Sequence, residues 1–226
     1  MGHFFSTLNE LHEDDTDRLT LPPGTQTLTR SYIREKILYT THHLRISEGP
    51  TRLGPSVFAR GSESIHCLKS IALPESLFDI GDNAFSHCDN LQGLTLPPHL
   101  SSIGTSAFDG CAGIRSMTIP RGVTRIESKT FAFCMNLSNL TFSGPLTFIG
   151  DEAFLSCYMI SQLTIPDTVQ EIGDRAFMLC GQLRTLTLPE QFCTQQERAR
   201  LRIDPSVQCI PHASRKDTPE PVSLRR

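Results

Sequence analysis

One spacing constrains this chain more than any other property. Leu68, Leu91, Ile114, Leu137, Ile160 and Leu183 follow one another at intervals of 23 residues. Phe85, Phe108, Phe131, Phe154 and Phe177 keep the same interval, as do Cys88, Cys111, Cys134, Cys157 and Cys180. A fixed period in the range of roughly 20 to 50 residues marks a stack of like units, because one such unit cannot bury its apolar face alone. The stack builds a continuous apolar column without a central core. It points toward a binding surface and away from a catalytic pocket.

Slot by slot, the unit from Leu91 to Gly113 gives a local reading. Leu94 and Leu96 alternate with Gly93 and Thr95, the period of a strand with one buried face. Pro97 has no N–H for a ladder, so the strand stops there. Leu100 and Ile103 are expected to turn back inward, and Gly104 supports a turn. Thr105 then stands where a helix N-cap would stand, and the same slot holds Asp82, Ser128, Asp151 and Asp174. A helical turn carrying Ala, Phe and Cys inward is expected to follow. The fold class is therefore an α/β repeat solenoid: a curved array with one parallel β-sheet face and short helical or turn segments on the other.

The regular array spans 68–189. Before it, 19–67 reads as degenerate capping repeats. Leu19-Thr20-Leu21-Pro22-Pro23 resembles Leu94-Thr95-Leu96-Pro97-Pro98, and Val57-Phe58 matches Ala84-Phe85 with four residues inserted, placed in 60–65. Terminal repeats of a stack are atypical because they cap it. Residues 1–18, with Glu10, Glu13, Asp14, Asp15 and Asp17, read as an acidic helix or arm. After Pro189 the pattern changes. Residues 190–204 are expected to form a capping helix over the open end, and 205–226 a disordered tail.

The resemblance follows from these slots. Leu163-Thr164-Ile165-Pro166-Asp167-Thr168-Val169-Gln170-Glu171-Ile172-Gly173-Asp174-Arg175-Ala176-Phe177-Met178-Leu179-Cys180 resembles the BspA-like class of leucine-rich repeats. The pattern departs at Glu127, Thr130 and Ser143, which replace Gly, Ala and Pro. The resemblance implies a curved solenoid for protein recognition, often at microbial surfaces or toward a host, and it implies no catalytic residue.

Charge, cysteines and motifs narrow the function. The net charge of −3 gives no argument for nucleic acid or an anionic membrane. There is no run of 18 apolar residues and no basic-then-apolar leader. A chain that is cytoplasmic, or secreted by a route without a classical signal, and not transmembrane, is expected. Gly2 and Ser6 fit an N-myristoylation pattern, so membrane attachment is expected only if Gly2 is acylated. The eight cysteines read as reduced thiols, five of them in one line. A line of thiols does not converge as zinc ligands must, so no metal is expected. No phosphate loop, dinucleotide fingerprint or hydrolase elbow is present, so no cofactor and no enzymatic activity is expected.

The free slots are where function is expected, with a protein as partner. One surface is the polar strand face: Thr95, Thr118, Thr141, Thr164 and Thr187 in one row, with Ser116, Asn139 and Gln162 in a second. The other is an apolar gathering in the later units: Phe133, Leu155, Tyr158, Met178 and Leu179, with Met135 and Met159 beside them. Thr suits an exposed strand without any partner, and the apolar group could instead pack under the C-terminal cap. Self-assembly, or a host-directed effector or adhesin-like protein exported without a classical signal, is the alternative function.

Overall fold

The computed structural model describes residues 17–36, 41–60 and 67–212. The expected acidic arm lies outside these apart from its last two residues, as do most of the inserted stretch and residues 213–226. The chain winds as a parallel β-solenoid of eight turns with a ninth terminal strand. Each regular turn has three sides, two built from strands and one from linked turns.

The first row of strands runs Asp17–Leu19, His43–Ile46, Ser70–Ala72, Gly93–Leu94, Ser116–Ile119, Asn139–Phe142, Gln162–Thr164, Thr185–Leu188 and Gln208–Pro211. These pair in parallel in runs of four, two and three. The register keeps like slots together, with Leu140 opposite Met117 and Leu163 opposite Leu186 on the inside. A second row of two-residue strands runs Thr27–Leu28, Arg52–Leu53, Asp79–Ile80, Ser102–Ile103, Arg125–Ile126, Phe148–Ile149 and Glu171–Ile172. Leu28, Leu53, Ile80, Ile103, Ile126, Ile149 and Ile172 fill the core from this side. The chain passes so close between layers that a side chain at Gly104 would place its Cβ 2.6 Å from the Asp82 amide nitrogen.

The expected helical side does not form, which corrects the two-faced α/β description. Two residues of each regular unit adopt positive φ on this side: Asn83 and His87, Ser106 and Gly110, Lys129 and Phe133, Glu152 and Ser156, Arg175 and Leu179. A left-handed residue at every fourth position forbids a right-handed helix. The backbone divides its donors instead. The N–H groups of Ala84, Ser86 and Cys88 close tight turns onto Gly81, Asn83 and Phe85, while those of Asn83, Phe85 and His87 reach forward to the carbonyls of Thr105, Ala107 and Asp109 in the next layer. The slot expected to cap helices works between layers too. Asp82 Oδ1 accepts from the Thr105 N–H at 2.8 Å, and Asp151 Oδ1 from the Asp174 N–H at 2.7 Å.

Inside the turn side, Phe58, Phe85, Phe108, Phe131, Phe154 and Phe177 stack with centroids 5.1 to 6.0 Å apart and planes within 16°. Each column thiol donates to the phenylalanine carbonyl of the preceding layer, as Cys134 does to Phe108 at 3.1 Å and Cys157 to Phe131 at 3.0 Å. Thr130, in an alanine slot, is fully buried and keeps its hydroxyl bonded to the Glu127 carbonyl at 2.8 Å.

The ends differ from the middle. A true helix, α1 (Arg30–Lys36), takes the turn side of the first layer. At the other end a 3-10 turn at Glu190–Phe192 leads into α2 (Gln195–Arg200), whose N-cap Thr194 accepts from the Glu197 N–H. Donors of the last regular layer, the Arg175 and Phe177 N–H groups, end on the Arg200 and Leu201 carbonyls. The expected tail does not begin at 205. Gln208–Pro211 adds a strand beside Thr185–Leu188, with Cys209 opposite the inward Leu186 and Ile210 opposite Thr187. That strand covers a sheet edge that would otherwise stand open.

Candidate functional site

The outer surface of the first strand row carries the polar slots. Thr95, Thr118, Thr141 and Thr164 are exposed and Thr187 is half-buried. Thr118 and Thr141 lie in register, and the Thr141 hydroxyl donates to Thr118 Oγ1 at 3.1 Å. Ser116, Asn139 and Gln162 are exposed in the adjacent file, Asn139 directly opposite Ser116. All eight predicted residues therefore share one surface. Within each run of paired strands the backbone groups below them are bonded from strand to strand, so the side chains stand on a fixed lattice.

The same surface carries charge that the threonine reading missed. Arg18 pairs in register with Arg45 and occupies the file that later holds threonine. Lys69, Arg115 and Arg184 stand one slot before the polar pair, and all five cations are exposed. Continuing the slot alignment into the degenerate layers would have found Arg18 and Arg45, and extending it one slot earlier in the regular array would have found Lys69, Arg115 and Arg184. The overall charge hid them, because the ion pairs Arg52–Asp79, Arg125–Glu127, Lys129–Glu152 and Arg200–Asp174 draw carboxylates to the other sides.

The apolar group lies at the corner where the turn side meets this row. Phe133, Tyr158 and Leu179 are exposed, as are Met135 and Met159, whereas Leu155 and Met178 are half-buried. The structure thus brings three of the predicted five to the surface, with the two methionines expected beside them. The cap does not cover Leu179, which is 62% exposed. Phe133 and Leu179 hold φ of 56° and 61°, a conformation costly for large side chains.

Other groups are explained by the fold. Burial pushes the Cys88 and Cys180 thiols up to about 12, and the same cause raises Cys111, Cys134 and Cys157. Such thiols are protonated and inert. Burial also raises the Asp109 carboxyl, offset in part by His87 and Lys129. A groove of about 580 Å³ beside the cap is lined by Asp151, Glu171, Asp174, Glu197 and Arg200. Arg200 already bonds Asp174, Glu197 and the Ile172 carbonyl there. No group of three or more metal-ligating side chains converges among the described residues. Among them, too, no helix is long and apolar enough to cross a membrane.

Known proteins agree with this architecture. The family described as BspA type Leucine rich repeat region matches in six copies, over residues 51–184 and 147–199. The chain belongs to the BspA-type leucine-rich repeat family. No curated protein matches it. A leucine-rich repeat protein from Bacteroides ovatus superposes with a TM-score of 0.58 at 19% identity, over 87% of this chain and 53% of that one. A leucine rich cell surface protein from Faecalibacterium prausnitzii matches at 25% identity with a TM-score of 0.47, over 78% of this chain and 51% of its own. The T. pallidum Leucine Rich Repeat protein gives 20% identity and a TM-score of 0.47, over 75% and 69%. The chain spans about half the length of the first two. The Bacteroides superposition shows the fold, and the BspA-type repeats of this family are generally modules for protein interaction or adhesion.

Proposed function

We propose that this BspA-type solenoid is a non-enzymatic protein-binding module that takes its partner on the first strand row. One observation carries the reading. The outward slots hold short polar or cationic side chains over successive layers, on a backbone already bonded between layers. Such a surface binds with little ordering cost, because its lattice is pre-formed.

The test immobilises the chain and captures proteins from its native cells. Thr118→Tyr, Thr141→Tyr and Thr164→Tyr together fill the open file with side chains that favour strands. The variant should keep its thermal transition and lose the captured protein. Retention of the same protein would refute the strand-face reading.

A second reading rests on Phe133, Met135, Tyr158, Met159 and Leu179, exposed in successive layers. It is self-association through this apolar corner. Sedimentation of the wild-type chain and of Tyr158→Ser/Leu179→Ser decides it. A monomer at high concentration in both would exclude it.

A further inference from the structure

The two halves of the strand face are not chemically alike. In the later layers the outward files hold Thr141, Thr164, Asn139 and Gln162. In the first two layers the threonine file holds Arg18 and Arg45, while Lys69 and Arg115 stand one slot before the polar pair in the third and fifth layers, a slot that Arg184 fills again in the eighth. Arg18, Arg45, Lys69 and Arg115 are exposed, and none makes an ion pair within the described residues. No described residue at an outward slot of this row is a carboxylate. Glu48, three residues beyond Arg45, is already engaged: its two oxygens accept from the Glu75 and Ser76 N–H groups at 2.9 and 3.2 Å.

The register sharpens this asymmetry. Arg18 and Arg45 are direct partners in adjacent parallel strands. Adjacent strands lie about 4.8 Å apart, and like charges directly opposite destabilise a sheet. An anionic group laid across the two would convert that repulsion into attraction. One layer on, Ala72 lies opposite Arg45, and Lys69 adds its charge three residues earlier on that side of the face. The neighbouring files supply hydroxyls and amides that bond both carboxylates and peptide carbonyls.

We propose that the N-terminal end of the strand face, centred on Arg18, Arg45 and Lys69 with Arg115, binds an acidic polypeptide segment. The proposal rests on the strand-face reading above and names the chemistry of its partner. A protein segment fits better than a nucleic acid on two grounds. No Phe or Tyr occupies an outward slot of this row, so bases have no aromatic face on which to stack. The whole chain carries net charge −3, which repels a long polyanion while a local strip still attracts a short acidic one.

The experiment uses fluorescence anisotropy on the full chain with three probes: a short labelled Glu/Ser peptide, its Lys/Ser counterpart and a single-stranded oligothymidine of equal charge to the first. The Glu/Ser peptide should bind, and binding should weaken roughly tenfold between low and physiological salt. Arg18→Ser/Arg45→Ser/Lys69→Ser should weaken it by roughly tenfold or more at low salt, with an unchanged thermal transition. No binding of the Glu/Ser peptide, or equal binding to the triple variant, would overturn the proposal. Tighter binding of oligothymidine would replace it with a nucleic-acid site. A further chain carries Glu10→Gln, Glu13→Gln, Asp14→Asn and Asp15→Asn. If only this chain binds the peptide, the strip belongs to the protein's own acidic segment and not to a partner. Native capture that survives loss of the cations but not filling of the threonine file would remove this inference alone. Capture that survives both would remove the strand face as well.

Discussion

The first strand row and the turn side occupy the same layers and meet opposite constraints. On the strand row the backbone is relaxed, and outward slots accept Thr, Ser, Asn, Gln, Arg or Lys. On the turn side the backbone holds two left-handed residues per regular unit, above stacked phenylalanines and hydrogen-bonded thiols. Order on one side comes from a ladder that tolerates any outward side chain. On the other it comes from an interior that tolerates almost no change. Outward slots of the strand row are therefore free to differ from layer to layer, and the fold is secured by the buried side.

The largest test of this contrast removes one ring from the inner side. Phe131 lies fully buried between Phe108 and Phe154, with centroids 5.6 and 6.0 Å away. Phe131→Ala should cost about 3 to 5 kcal/mol in chemical denaturation, as large-to-small changes in packed cores do. Thr141→Ala, exposed on the strand row in the next layer, should change stability by less than about 0.5 kcal/mol. Similar losses for the two would dissolve the comparison.

Alkaline pH probes the same side with a smaller effect. The Cys88 and Cys180 thiols are raised from 9.0 to about 12, chiefly by burial. Below pH 9 both the folded and unfolded chains keep these protons. Between about 9 and 12 only the unfolded chain releases them, so ionisation favours unfolding and stability falls as pH rises. Thermal melts from neutral pH to about pH 11 should show this fall, and Cys88→Ala/Cys180→Ala should flatten it. A slope that is the same in both chains would locate the alkaline loss elsewhere.

The smallest test reverses sign across the molecule. Leu179 is exposed with φ near 61°, so Leu179→Gly should stabilise the fold by roughly 0.5 to 1 kcal/mol through relief of the left-handed backbone. Thr141→Gly, in an extended strand, should destabilise by roughly 1 kcal/mol. Changes of the same sign would show that the turn side stores no such strain.

How much of this was legible in the sequence follows from the same slots. The period placed Phe131 and Cys134 inside, and both are fully buried. The turn side was misread because Asp, Ser or Thr before Ala-Phe imitates a helix start. The true signal lies at the left-handed slots. Only Asn83, His87 and Gly110 there belong to residue types that favour that conformation. Lys129, Phe133, Glu152, Arg175 and Leu179 conceal it, since neighbouring layers impose the conformation on them. The final strand was missed because Cys209 and Ile210 replace the leucine and threonine of the repeat. The threonine file was legible as a surface. Its cationic beginning was not, because the layer of Arg18 lacks both the Phe and the Cys that anchor the alignment, and that of Arg45 keeps Phe58 but has no column Cys.

One feature of the turn side reaches beyond packing. Its forward donors all point toward the end of the stack, from the Ser56, Asn83, Ser106, Lys129 and Glu152 N–H groups to the carbonyls of the following layer. The column is thus polarised along its length, as a helix is, with bare carbonyls at the start and bare N–H groups at the finish. The protein answers each pole with its opposite. At the start the Arg30 guanidinium donates to the Ser56 carbonyl at 2.8 Å. At the finish the carbonyl end of α2, at Arg200 and Leu201, receives the last donors. The two unlike ends are the terminals of one electrostatic axis, and a stack shortened from either side would expose an uncompensated pole.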